Sequence, residues 1–266
     1  MTAMAIAALK AERSEVLDLA HSLTLAEWHM ASDCDGWRVQ EVVAHMAAVF
    51  RGIVEPGSVP TGDTEDVEAS AEAGVAERKS WEPAEVLAEY EEYSAKAIEA
   101  MNAMQDPPMA DMVIPMGNLG SYPLHILANA LAFDHYCHIR NDILKPNGPI
   151  DRPRPPDDDL RLGPTVVWMT TGIPQMCAGA MAHQNYSIVL ELTGPGGGAW
   201  TYGPVGGNGL VAFHSGETTQ AVATVKSSTK DFVVWSTKRR PWRDMAVVIH
   251  GDSVRAAEFL DAVNVI

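Results

Sequence analysis

Positive charge is scarce in this chain. Its 266 residues carry 19 lysines and arginines against 35 acids, a formal charge of −16. Such a surface repels polyanions, which argues against a nucleic-acid partner and against docking on anionic lipid. Cysteine is scarcer still. Cys34, Cys137 and Cys177 are odd in number and share no CxxC spacing, so a disulfide framework is disfavoured and a reducing cytoplasm is the simplest home. No apolar run reaches the roughly 20 residues of a membrane span. The opening MTAMAIAALKAERSE turns charged too early for a secretory leader. The common catalytic signatures are missing too: there is no HExxH and no GxSxG. The Gly-rich GPGGGAWTYGPVGGNG (194–209) has neither the dinucleotide nor the P-loop pattern, and it reads as turns between strands.

What remains is a globular composition, 47% hydrophobic and 20% charged, long enough for one large domain or two ordinary ones. The first half has helical periodicity. Residues 3–22 carry Ile6, Leu9, Leu17 and Leu19 with charged residues between them. WRVQEVVAHMAAVFRG (37–52) makes a second helix, and Pro83–Met104 a third, with Pro83 suited to a first turn. A fourth is expected from about Tyr122 to Leu144. Between the second and third lies an acidic, Ala-rich excursion, Pro56–Ser80. Four helices of this length predict an antiparallel bundle over residues 1–145.

KPNGPIDRPRPPDDD follows, with a Pro-rich linker over 146–159 that is too rich in proline to join a core. Residues 160–266 change period. A helix from Pro164 to about Ala182 precedes the strands YSIVLELTG, GAWTYGP, QAVATVKS and DMAVVIHGD. A short helix around DFVVWSTKR lies between the last two strands, and SVRAAEFLDAV closes the chain. The fold class is therefore α followed by α+β with hairpin-linked strands.

The chemistry-bearing residues sit on the helices. His45 lies inside EVVAHMAAV, and alone it reads as a core histidine. Asp134 and His138, in FDHYCHIRND, are one helical turn apart, and alone they read as an i,i+4 pair. Together, in a bundle, the three can converge on one cavity. Two imidazoles and a carboxylate are the ligand set of an open, catalytic zinc site. Divalent iron or nickel tolerates the same donors. His135 points about 100° away around the helix, and His125 faces another side. His183, His214 and His250 show no ligand spacing. Cys34 and Cys137 read as packed residues rather than nucleophiles.

Trp28, Cys34, Gly36, Trp37 and His45 in LTLAEWHMASDCDGWRVQEVVAHMA resemble the opening of the mycothiol-dependent maleylpyruvate isomerase family, within the DinB-like metalloproteins. That opening has a tryptophan, a Cys-x-Gly-Trp turn and a histidine in the next helix. The family's second signature, an acid then a histidine four residues later, falls on Asp134 and His138. DFVVWSTKRRPW and MAVVIHGD are similar to its C-terminal pattern. There are departures: the family's acid is more often glutamate, and a position often aspartate is Asn141 here. Asp142 is left with two readings, an acceptor for the His138 ring N–H or a solvated acid near a helix end.

The resemblance implies an N-terminal DinB-like four-helix bundle and a small, sterol-carrier-like α+β domain. It implies a metal, zinc foremost, on His45, Asp134 and His138, and mycothiol as the second cofactor. The metal-held thiol would add to a small electrophilic substrate, in an isomerase or an S-transferase. A substrate carboxylate would be met by one of Arg239 and Arg240 in STKRRPW, whose guanidinium fork suits it. The competing reading of the same arginines is a helix C-terminal cap. The competing reading of the whole chain is a non-catalytic protein that holds an apolar small molecule in its α+β domain.

Overall fold

A computed structural model describes residues 2–62, 65–204, 211–215 and 220–266, the side chains of Thr2 and of 211–215 excepted. The chain divides into two compact units, Met1–Pro156 and Asp157–Ile266. No helix among the described residues is long and apolar enough to cross a membrane.

The first unit is helical. Helix α1 is Thr2–Ser22, α2 Leu25–Trp28, α3 Val39–Val54, α4 Val67–Glu77, α5 Pro83–Ala103 and α6 Leu127–Cys137. Each long helix presents an apolar stripe at three- and four-residue spacing: Ala5, Leu9, Val16 and Ala20 on α1; Val42, Val43, Met46 and Phe50 on α3; Val86, Tyr90, Ala97 and Met101 on α5. These stripes form one core. In it α3 packs on α5, and α1 packs on both α5 and α6. Helix starts are fixed by side chains. The short α2 has a complete capping box, in which Glu27 N–H donates to Thr24 Oγ1 and Glu27 Oε2 accepts from Thr24 N–H. Asp66 accepts from the N–H groups of Glu68 and Ala69 at the start of α4.

Four differences from the sequence reading matter for the site. The excursion Pro56–Ser80 contains α4, which packs on α3. The helices pack closely at Gly74, where a Cβ would stand 3.3 Å from Val59 Cγ1 and 3.4 Å from Ala48 Cβ. The helix expected from Tyr122 is shorter. Strands β1 (Val113–Pro115) and β2 (Ser121–Pro123) form a small antiparallel hairpin first. Pro123 and the positive-φ Gly117 and Gly120 oppose helix there. The helix also changes pitch. Residues His138–Ile143 form a π-helical turn at the end of α6. Finally, part of the Pro-rich segment does join a core, because Ile150 is buried and its carbonyl accepts from Lys145 N–H at 2.9 Å.

In the second unit, α7 runs Asp159–Met176, then β3 Ile188–Thr193, β4 Gly198–Pro204, β5 Val211–Ser215, β6 Ala223–Ser228, α8 Thr229–Ser236, β7 Val248–Gly251 and α9 Ser253–Ala262. Helix α7 starts ahead of Pro164 because Asp158 caps it, accepting from Arg161 N–H. The sheet order is β5-β4-β3-β6-β7. Not every neighbour is hairpin-linked: β3 and β6 pair in parallel, with Leu190 opposite Val225. Trp168, Phe232, Trp235, Tyr202 and Phe259 fill its core. Residues 194–197 turn between β3 and β4, whereas 205–209 of the Gly-rich stretch lie outside the described residues.

Candidate metal centre

Three elements meet at the site. Helix α3 supplies His45, the last turn of α6 supplies Asp134, and the π-helical turn begins with His138. A tight turn, Ser32–Trp37, lies just ahead of α3. Ser32 N–H and Oγ–H both donate to Trp37 O, and Trp37 N–H donates back to Cys34 O. Asp33 N–H donates to Asp142 O at 2.9 Å, which ties this turn to the π-helical segment.

Asp134 Oδ1 stands 3.1 Å from His45 Nε2 and 3.3 Å from His138 Nε2. The two imidazoles lie edge to face, with centroids 5.2 Å apart. The ring of Trp37 packs on His45 at 5.4 Å, and its Nε1–H donates to Glu72 Oε2 on α4. The three side chains remain 12%, 21% and 11% exposed for His45, Asp134 and His138. They are thus mostly dry but not sealed.

Proton placement follows from the neighbours. His138 Nδ1 lies 2.8 Å from Asp142 Oδ2, a pure acceptor when ionised, so Nδ1 carries the hydrogen. A neutral His138 would then aim the lone pair of Nε2 at the Asp134 carboxylate. Only a second proton or a cation resolves that repulsion. In the metal-free chain a proton does so. Burial disfavours the charged ring, but the Asp134 carboxylate, with hydrogen bonds to Asp134, Asp142 and Cys34, holds the His138 pKa well above its ordinary value. Burial likewise opposes the Asp134 charge, and His138 and then His45 outweigh it, holding that carboxyl well below its ordinary value. Asp134 Oδ2 and His45 Nδ1 are buried without a hydrogen bond.

These features fit a divalent ion. Bonds of 2.0–2.2 Å in a tetrahedron place ligand atoms about 3.4 Å apart, close to the 3.1 and 3.3 Å seen here. An ion among them would accept both Nε2 lone pairs and the carboxylate, leaving a coordination position open. Asp142 then has the part of a carboxylate that orients a metal-bound imidazole. Of its two sequence readings, burial to 1% exposure excludes the solvated one.

Other residues lie outside this donor set. His135 Nδ1–H donates to Leu131 O, so Nε2 accepts from Tyr90 O–H; its Nδ1 also passes 3.5 Å from Asp134 Oδ2 and helps to hold that carboxyl low. His125 Nδ1–H donates to Ala110 O. Arg239 and Arg240 follow α8 in the second unit. There Lys238 adopts the left-handed conformation, φ 57°, and Arg239 N–H donates to Val234 O, closing the helix by its backbone. Arg240 Nη1–H donates to Arg239 O. The nearness of Cys34 to His138 is what the sequence does not reveal. The cysteine packs, half-buried, against the bundle core as expected, and its Sγ also lies 3.8 Å from His138 Nδ1. Its place in the turn before the His45 helix was the available signal.

Residues 9–139 match the family model described as "Mycothiol maleylpyruvate isomerase N-terminal domain". No curated protein matches the chain. Solved structures share its fold, two of them as follows. The crystal structure of the mycothiol-dependent maleylpyruvate isomerase superposes with a TM-score of 0.57 at 12% identity, covering 94% of this chain and 92% of that one. A histidine-to-alanine mutant of that enzyme gives 0.55 at 13% identity with the same coverage.

Proposed function

We propose, from a chain that carries the mycothiol maleylpyruvate isomerase N-terminal domain and shares the fold of that enzyme over most of its length, that it is a metal-dependent, mycothiol-dependent isomerase or S-transferase. The observation that supports this most is the convergence of two Nε2 atoms on one carboxylate oxygen, with the tautomer of one ring set by Asp142. When bound, a divalent ion, zinc by donor type, supplies the Lewis acidity that keeps the mycothiol thiol ionised for addition to an electrophilic carbon.

The chain's own residues do the rest. His45 and His138 present neutral nitrogen donors, and Asp134 adds a single negative charge, which leaves an ion with residual positive charge to hold an anionic sulfur. Asp142 keeps the His138 hydrogen on Nδ1 and so keeps Nε2 available. Trp37 limits the rotation of His45 from one side. Arg239 or Arg240, one and not both, is proposed to pair with a substrate carboxylate. The reading is supported there by guanidinium chemistry alone.

Elemental analysis tests the metal. The purified chain should hold one tightly bound divalent ion, lost in both His45→Ala and His138→Ala. Mass spectrometry of mycothiol incubated with electrophiles and enzyme tests the chemistry, and the same variants should give no enzyme-dependent product. A folded, metal-free protein that gains no ion on supplementation would instead support the ligand-holding reading. Arg239→Lys or Arg240→Lys should lower turnover with metal content intact. Full activity in both and in the double variant would remove the arginine role.

A further inference from the structure

His138 faces donors on both of its nitrogens, and the site described above uses only Nε2. On the Nδ1 side lie Cys34 Sγ at 3.8 Å and Asp142 Oδ2 at 2.8 Å. One ligand atom from each of these three residues falls within 4.8 Å of the others. We propose that Cys34, His138 Nδ1 and Asp142 form a second site, for a thiophilic divalent ion, bridged to the first through the His138 ring.

Geometry is the first support. Metal–sulfur and metal–nitrogen bonds of about 2.3 and 2.0 Å put the two donors about 3.5 Å apart in a tetrahedron, and 3.8 Å is observed. The Asp142 carboxylate must move from hydrogen-bond to ligand separation, a few tenths of an ångström, which a small side-chain rotation provides. Rigidity is the second support. Cys34 N–H is held by Ser32 Oγ at 3.1 Å, and the Cys34 turn is bonded to the backbone of Asp142 itself through Asp33. Both halves of the donor set are therefore positioned before any ion arrives, which lowers the ordering cost of binding.

Donor type selects the ion. A thiolate beside an imidazole favours zinc, cobalt(II) or cadmium and discriminates against magnesium and calcium. Charge also balances. Binding forms metal–sulfur, metal–nitrogen and metal–oxygen bonds, and releases the Cys34 thiol proton and the His138 Nδ1 proton to solvent. The thiolate, the bridging imidazolate, Asp142 and Asp134 then carry one negative charge each, which neutralises a pair of dications in a largely buried place. Half-buried Cys34 gives the ion its way in. Filling this site takes Asp142 away from orienting His138, so an excess of a thiophilic ion should inhibit whatever the first site catalyses.

The proposal does not depend on the catalytic reading, because the first donor set can be broken without touching this one. The test is titration of the metal-free full chain with Co2+ under a non-thiol reductant, read by absorbance and by proton release. Wild-type protein should take two equivalents and develop a sulfur-to-cobalt charge-transfer band. Cys34→Ser should take one equivalent and lack the band. His45→Ala should keep the band although its first site is lost. Should Cys34→Ser misfold, Asp142→Asn serves as the second variant, and its band should saturate only at higher Co2+. A wild-type protein without the band at saturating Co2+, or a band that survives in Cys34→Ser, would overturn the proposal.

Discussion

Asp142→Asn isolates the part that one carboxylate has in preparing the metal centre. Asparagine has nearly the same shape and keeps the backbone carbonyl that accepts from Asp33 N–H, so packing is preserved. What changes is the partner of His138 Nδ1. The carboxylate accepts only, at 2.8 Å and 1% exposed, so it enforces a hydrogen on Nδ1 and a lone pair on Nε2. The amide can turn and donate instead, which stabilises the tautomer whose Nε2–H faces the ion. It also removes a negative charge that makes the imidazole a better donor. Loss of such an orienting partner costs about 10–100-fold in affinity, or about 1.4–2.7 kcal/mol. The measurement is Zn2+ affinity by chelator competition, made in the Cys34→Ser background so that a single ion is counted. Circular dichroism of the metal-free forms should coincide. An affinity within about twofold of the parent would refute the tautomer argument, whatever the activity.

Three further outcomes are expected. Asp134 has a depressed carboxyl pKa and His138 a raised imidazole pKa. The first contributes stability above its unfolded value that is lost as pH falls; the second contributes stability below its unfolded value that is lost as pH rises. The metal-free protein should thus be most stabilised by this pair between about pH 4 and 6.5, and its melting temperature should fall above that window less steeply in His138→Gln. With Zn2+ bound the trend should reverse, because the ion competes with the His138 proton; an identical pH profile with and without metal would sink this. Arg140 and Glu12 form an ion pair at 2.9 Å with no exposed side-chain area, and Arg140 also lies 4.1 Å over the Tyr136 ring. Arg140→Met removes the guanidinium beside the buried Glu12 carboxylate and should cost about 3–5 kcal/mol in urea unfolding; a loss under about 1 kcal/mol would mean that this ion pair adds little to stability. Lys238 holds a left-handed C-terminal position after α8, where glycine is favoured, and Lys238→Gly should raise the melting temperature by about 1–3 °C. A fall would mean that the Lys238 Nζ bond to Asp261 O outweighs the backbone strain.

The site was more legible in the sequence than its surroundings, for a physical reason. Side chains that meet on one helix face obey a fixed spacing, so Asp134 and His138 could be matched four residues apart, and a bundle leaves few places for His45 to go; the three do converge. The acidic Ala-rich stretch was opaque because α4 has almost no amphipathic contrast; alanine and glutamate favour helix without marking a face. The β1–β2 hairpin falls mostly between the third and fourth expected helices, in a stretch without a period of its own, where two prolines and two left-handed glycines decide the backbone locally. Cys34 shows the deeper limit. Its neighbours in sequence say only that it sits in a turn beside tryptophan, and a small half-buried thiol there has no need of a role. What brings it to His138 is one backbone bond, Asp33 N–H to Asp142 O, across more than a hundred residues. No periodicity encodes such a bond. Asp142 O can accept it because it lies in the last turn of the π-helical segment His138–Ile143, where carbonyls have no partner further along the helix; such segments are frequent at functional sites. The same segment therefore shapes the Nδ1 side of His138 twice: it carries Asp142, whose carboxylate meets the ring hydrogen, and its backbone holds the cysteine turn against that same edge, away from Asp134.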